Sequence, residues 1–412
     1  MKFNKWTLGL AAVGVVSLTS AARADETKVS QLNTALSNTT ISGYVDVAAQ
    51  FNPNGGGGAP NYYWNQPANS INLNVVDIAI DKPLDESPWA SGYHVEFWVG
   101  ALGQQLNVGN DIRQAYIALR TPVGNGIDWK IGTFDTIVGY ESSTTYNNAN
   151  YSHSYGFNME PTSHTGILAS YKGTDWLSAQ VGVADESYAG GGAYTSAAGG
   201  NPGNTAGLYR PTFMWGPTLT APDSFGWAKG GTLSVATIIT GGNTSGNNGG
   251  NGSSGKTIYA GATLPTPIAA LKFGASFDYL NAADVSNNAW DVAVYSTYQF
   301  NDKLSLNLRA EYYNGVGLNA AGAYQQNNGS PNNGYGTTAF GGYQEAQEFT
   351  ATVQYALWAN VLTRLEFRWD HVNHGNGYDN NVINNNPSAE TSQTGGHRQD
   401  AFMLAAQAVY QF

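Results

Sequence analysis

The segment from Leu362 to His371 constrains the fold more than any other. Thr363, Leu365, Phe367 and Trp369 alternate with Arg364, Glu366, Arg368 and Asp370, so four charges fall on one face and none on the other. A period of two is the repeat of a β-strand with unlike environments on its two sides. The C-terminal run repeats it: Phe402, Leu404, Ala406, Ala408, Tyr410 and Phe412 form one apolar face, interleaved with Met403, Ala405, Gln407, Val409 and Gln411. So do Leu304, Leu306, Leu308, Ala310 and Tyr312 against Ser305, Asn307, Arg309 and Glu311.

In such a strand the apolar side must meet either a core or lipid, and composition separates the two. Charged residues make up 11% of the chain, against 42% hydrophobic. A soluble surface needs about 25% charge or more. No apolar stretch after Leu18 reaches the ~20 residues of a membrane helix. The remaining solution is a closed sheet, in which every backbone group pairs around the ring. The expected class is therefore all-β, a transmembrane antiparallel β-barrel.

Alternation predicts sixteen strands, near 39–51, 70–81, 91–100, 111–121, 126–134, 165–172, 175–184, 208–220, 230–240, 256–265, 270–280, 289–300, 303–313, 346–358, 361–372 and 398–412. A phase slip at Val75-Val76 reads as a bulge or as weak patterning. Short connections such as 122–126, 301–302 and 359–360 alternate with long Gly- and Asn-rich ones at 52–68, 185–207, 241–255, 314–345 and 373–397. That asymmetry is the one expected between periplasmic turns and external loops.

Ahead of the barrel, Lys2 and Lys5, an apolar run from Trp6 to Leu18 and Ala22-Arg23-Ala24 have the layout of a secretory leader. The expected organisation is a signal peptide over 1–24, a short lead-in over 25–38 that is either helical or disordered, and the barrel over 39–412. Without the leader the chain carries 18 − 3 = 15 basic and 29 acidic residues, a balance of −14. Such a chain is a poor nucleic-acid partner. Cysteine is absent, which excludes disulfides, thiolate nucleophiles and Cys-ligated metals.

One long connection differs from the others. Asp135 to His164 carries Tyr140, Tyr146, Tyr151, Tyr155, Phe157 and Met159, and is the third external loop if the N-terminus is periplasmic. Either it folds into the barrel to bury those rings, narrowing the passage, or it packs on neighbouring external loops. Lumen-facing charges would set ion preference: Arg113, Lys130, Arg309, Arg364 and Arg368 on the wall, opposed by Asp135, Glu141 and Glu160 on the loop. The plainer alternative is that Arg309, Glu311, Arg364, Glu366, Arg368 and Asp370 are paired ladders that brace adjacent strands. Catalytic and metal readings are weaker. His371-x-x-His374 sits in an Asn- and Gly-rich stretch without a third ligand. His94 and Glu96 lack a nucleophile. No catalytic residue, cofactor or metal is expected.

The run Ile112-Arg113-Gln114-Ala115-Tyr116-Ile117-Ala118-Leu119-Arg120-Thr121-Pro122-Val123-Gly124-Asn125-Gly126, followed by Lys130-Ile131-Gly132-Thr133-Phe134-Asp135, resembles the OmpL-like β-barrel porin family. Asn150-Tyr151-Ser152-His153-Ser154-Tyr155-Gly156, Glu160-Pro161-Thr162-Ser163-His164 and Lys82-Pro83-Leu84-Asp85-Glu86 extend the resemblance. The chain departs from the family pattern at His153, where an arginine is usual. The resemblance implies a bacterial outer-membrane porin and supplies no solute. On this reading the partners are outer-membrane lipids and small hydrophilic solutes, with passive diffusion through a water-filled pore and no enzymatic activity. A solute-specific channel, for sugars for example, and a structural or adhesive barrel are the alternatives. By analogy with general porins the assembly is a homotrimer. Tyr410 and Phe412 resemble the C-terminal aromatic signal read by the barrel-assembly machinery, and also suit a lipid-facing girdle.

Overall fold

The computed structural model describes residues 38–53, 69–100, 112–184, 211–240, 255–282, 287–316, 343–374 and 399–412. The expected leader, the lead-in up to residue 37 and most of the long Gly- and Asn-rich connections lie outside these residues.

Sixteen strands close into one antiparallel barrel in which each strand pairs with its sequence neighbours and β1 pairs with β16. They are β1 (Thr40–Phe51), β2 (Ser70–Lys82), β3 (Ser91–Val99), β4 (Ile112–Thr121), β5 (Ile127–Asp135), β6 (Ser163–Lys172), β7 (Leu177–Ala184), β8 (Thr212–Thr220), β9 (Thr232–Thr240), β10 (Gly255–Pro265), β11 (Leu271–Ala282), β12 (Asn287–Gln299), β13 (Leu304–Val316), β14 (Tyr343–Trp358), β15 (Val361–His374) and β16 (Asp400–Gln411). Closure removes every sheet edge, which is what a sheet in hydrocarbon requires. Where the ring shuts, the Gly43 N–H donates to the Phe412 carbonyl at 3.1 Å and the Phe412 N–H donates back at 3.0 Å.

Alternation sets the two faces. On β15, Leu365 is 64% exposed while Arg364 and Glu366 on either side are buried. Such an exposed apolar band is the lipid contact, stabilised by what its side chains avoid in water. At the short-turn end Trp89, Trp176, Trp227, Phe300 and Trp358 are exposed, forming a ring of amphipathic side chains at the height of an interface. The phase slip in β2 is a bulge: the pairing runs Asp46↔Val75 and then Val47↔Leu73, skipping Asn74, so Asn74 and Val75 are both buried.

Candidate functional site: a loop clamped across the lumen

The connection between β5 and β6 opens at the end of the barrel opposite the short turns, then turns onto the inward faces of distant strands. Its aromatic residues account for this. Tyr140 stacks on Tyr295 of β12, with ring centroids 4.2 Å apart, and Tyr155 leans on Tyr313 of β13 at 5.8 Å. Tyr146 meets Tyr44 of β1 edge to face at 4.8 Å. Tyr151 packs in a cluster with Trp98, Met403 and Val409. Aromatic pairs at these spacings add to simple area burial. A single helical turn, α1 (Tyr155–Met159), is capped by Ser154, whose hydroxyl accepts from the Phe157 N–H at 2.9 Å.

Three wall arginines hold the segment by its backbone. Arg309 of β13 donates to the Ser152 carbonyl at 2.6 Å and to the His153 carbonyl at 3.2 Å. Arg368 of β15 donates to the same His153 carbonyl at 2.6 Å. Arg364, also on β15, reaches the carbonyls of Thr145 at 3.1 Å, Tyr146 at 3.3 Å and Asn148. Wall carboxylates take the loop's N–H groups. Glu366 accepts from Tyr151 and Ser152 at 2.5 and 2.9 Å, and Glu311 accepts from Tyr155 at 2.6 Å. The Tyr155 hydroxyl donates to Asp370 at 2.5 Å, and the Thr145 hydroxyl donates to Asp46 of β1 at 2.9 Å. A loop without regular structure leaves its peptide groups unpaired, and here charged side chains of the wall satisfy them.

Glu141 ties the loop to the wall electrostatically. Its carboxylate accepts from Arg309 at 2.8 Å, lies 3.0 Å from His153 Nδ1 and accepts from the Ser154 N–H at 2.9 Å. Burial alone would raise its pKa, but Arg309, His153 and that N–H overcome it and hold the carboxyl at about 2. His153 stacks on Phe157 at 3.8 Å, and burial lowers its pKa although Glu141 opposes the shift. Burial thus disfavours the imidazolium form in the docked position.

A second group lies on β2–β5. Arg113 is buried, paired with Asp135 and placed over Trp98 at 5.0 Å. Lys130 sits over the Tyr116 ring at 4.6 Å, and His94 stacks on the same ring at 5.2 Å while bridging Asp81 at 3.1 Å and Glu96 at 3.5 Å.

The model of the family described as "Putative beta-barrel porin-2, OmpL-like" matches residues 38–412, the whole barrel. This chain belongs to the OmpL-like β-barrel porins. Solved structures share the fold at low identity. Salmonella typhi OmpF, solved with daunomycin, aligns with a TM-score of 0.56 and 16% identity over 91% of this chain and 97% of that one. The anion-selective porin of Comamonas acidovorans gives 0.55 and 11% over 91% and 99%. The outer-membrane channel DcaP of Acinetobacter baumannii gives 0.54 and 11% over 92% and 99%. No curated protein matched the sequence. The OmpL-like chain is accordingly an outer-membrane protein.

Within this OmpL-like barrel several site expectations need correction. Glu160 does not oppose a wall arginine; it is buried beside Asp278 of β11. Asp135 pairs with Arg113 from the adjoining wall and not across the lumen. Arg368 pairs with Asp370 as the ladder reading expects, and both Arg364 and Arg368 also grip loop carbonyls, which the sequence did not indicate. His371 and His374 lie in β15 and not in a loop, and His371 bonds Asp400 at 2.8 Å. No group of metal-ligating side chains occurs among the described residues. Asp278 and Asp291, both buried, join the site from outside the sequence-predicted set. Their signal was each strand's alternation, Phe273, Ala275, Phe277 and Tyr279 around Asp278 and Trp290 and Val292 around Asp291.

Proposed function

We propose that the chain is a porin through which small hydrophilic solutes diffuse passively, with residues 136–162 as the constriction. The observation that carries this reading is the clamp itself: a buried segment tied by Arg309, Arg364 and Arg368 to the inner wall of a closed barrel. A connection so held reduces the bore where a solute must pass, and its polar supports suit water-carrying solutes. The constriction set is then Arg113, Lys130, Asp135, Glu141, Glu160, Arg309, Glu311, Arg364, Glu366, Arg368 and Asp370, with the arginines and the buried Glu160 acting mainly as supports of the loop. Ion preference follows from the acidic excess and leans toward cations.

A sugar-specific channel would offer the loop's rings to the solute as a slide. Tyr140, Tyr151 and Tyr155 are instead buried against the wall, which favours general diffusion. A homotrimer is supported by analogy with Vibrio cholerae OmpT, solved in a trimer form at a TM-score of 0.53. We assign export to the leader at 1–24, and delivery to the barrel-assembly machinery to Tyr410 and Phe412. Liposome swelling with sugars of graded size tests the reading. Rates that fall smoothly with size are expected, one sugar far above the trend would make the channel specific, and no swelling would make the barrel structural.

A further inference from the structure

The charge on the clamped wall does not balance. Six buried acids face inward from β11–β15 (Asp278, Asp291, Glu311, Glu348, Glu366, Asp370) and two from the segment (Glu141, Glu160), 6 + 2 = 8 carboxyls, against the three guanidiniums of Arg309, Arg364 and Arg368. Arg309 serves Glu141, Glu311 and Glu348, and Arg368 serves Asp370. Glu366 is satisfied by two loop N–H groups and the Thr352 hydroxyl. That leaves Glu160, Asp278 and Asp291.

These three converge beneath α1. A Cβ on Gly156 would lie 2.6 Å from Asp278 Oδ2 and 3.2 Å from Asp291 Oδ2, so the helical turn presses its bare α-carbon onto both. Asp291 is 0% exposed and neither of its oxygens has a hydrogen-bond partner; Asp278 Oδ1 and Glu160 Oε1 also have none. Glu160 and Asp278 lie close enough to interact, and two carboxyl groups can share a hydrogen bond only if one carries a proton. Three ionised carboxylates without a cation would each cost several kcal/mol. Asp291 has no solvent-exposed surface, and a proton requires no volume.

We propose that Glu160, Asp278 and Asp291 form a proton-holding latch that pins the C-terminal arm of the 136–162 segment to β11 and β12, and that deprotonation at alkaline pH releases the arm and opens the passage. Each proton leaves to solvent base, and the carboxylates left behind repel one another across the contact. Burial and then Asp278 push the Glu160 carboxyl up. The other charged or titratable groups around it point the same way. Tyr140 and Glu141 come from the segment, and Tyr259 from β10. Tyr295 of β12 and Glu311 of β13 add no cation, Glu348 of β14 adds a further acid, and Arg309 is already engaged. With the Glu160 value raised on docking, its contribution is complete below the ordinary carboxylate range and is lost as pH rises through the docked value.

The gating half of this rests on the porin reading, whereas the proton half does not. The test pairs infrared spectroscopy of the refolded full chain with single-channel conductance from neutral to alkaline pH. The expected result is a protonated-carboxyl band at neutral pH that disappears on alkalinisation as conductance rises. In E160Q/D278N/D291N, and in part in E160Q alone, the band should be lost and conductance should stay at the low level at every pH. Absence of the band from the wild type, or a stoichiometric bound metal ion in its place, overturns the proton site. A band that titrates while conductance stays flat overturns the latch. If no pH gives conductance, the porin reading fails, and the rate of chymotrypsin cleavage of the segment decides the latch: acceleration at alkaline pH supports it and constancy overturns it.

Discussion

Replacing Arg309 with Met removes the guanidinium that joins the loop to the wall while leaving an unbranched side chain of similar length. In the native arrangement this group is 0% exposed and serves Glu141, Glu311, Glu348 and the carbonyls of Ser152 and His153. Its loss strands buried carboxylates, and breaking a buried pair from one side costs about 3–5 kcal/mol. Undocking of the segment relieves part of that burden, so the cost falls on the docking equilibrium and not on the barrel. At about 1.4 kcal/mol per tenfold, the undocked population should rise by roughly two to nearly four decades. Limited chymotrypsin digestion reads this directly, because Tyr151, Tyr155 and Phe157 are buried when docked and cleavage follows the open population when opening is fast. Arg364→Met removes bonds to the Thr145, Tyr146 and Asn148 carbonyls and to Gln407, and should have the smaller effect of lost charge-assisted hydrogen bonds, about 1.5–3 kcal/mol. Equal cleavage rates for wild type and Arg309→Met, with the barrel intact, would refute the clamp.

Three further outcomes are expected. Docking should weaken as pH falls below about 6.5, the ordinary histidine value, because His153 is held neutral with a lowered pKa and the undocked imidazole takes up the proton first. The contribution of Glu141 is complete above its ordinary value of 4.5 and is lost as pH falls from there toward about 2, so His153→Gln should flatten the cleavage profile between pH 7 and 5 without altering the steeper loss in stronger acid. Leu365→Arg places a charge on the lipid face and should cost about 2–4 kcal/mol in a denaturant titration if the site is near midplane. Gly43→Ala should lower the yield of heat-modifiable barrel, because the new Cβ would lie 2.1 Å from the Asp77 carbonyl oxygen and 2.8 Å from the Phe412 ring; deleting Phe412, which pairs with Gly43, should do the same.

Strands were readable wherever lipid and lumen impose opposite demands on adjacent residues. β15 starts at the expected residue, since Arg364, Glu366, Arg368 and Asp370 alternate with Leu365, Phe367 and Trp369. β14 begins at Tyr343, three residues ahead of the reading, because Gln344, Glu345 and Gln347 give no apolar contrast near the external rim. The inward direction of Arg309, Arg364 and Arg368 was equally legible, but their partners were not. Arg309 meets Glu141 across 168 positions, and beside its wall partners Glu311 and Glu348 it grips the carbonyls of Ser152 and His153, which carry no sequence signal. For the same reason Glu160 was set against the arginines: only the closed ring brings β11 and β12 beneath α1 and reveals its acidic company.

Single-channel conductance of the refolded chain, compared with a variant in which residues 142–158 are replaced by a short Gly-Ser linker, tests the constriction most directly. Discrete ohmic steps should appear in both proteins and be larger in the shortened one. Steps of equal size would mean that the clamped segment does not limit the passage, and no steps in either would mean that the barrel conducts nothing.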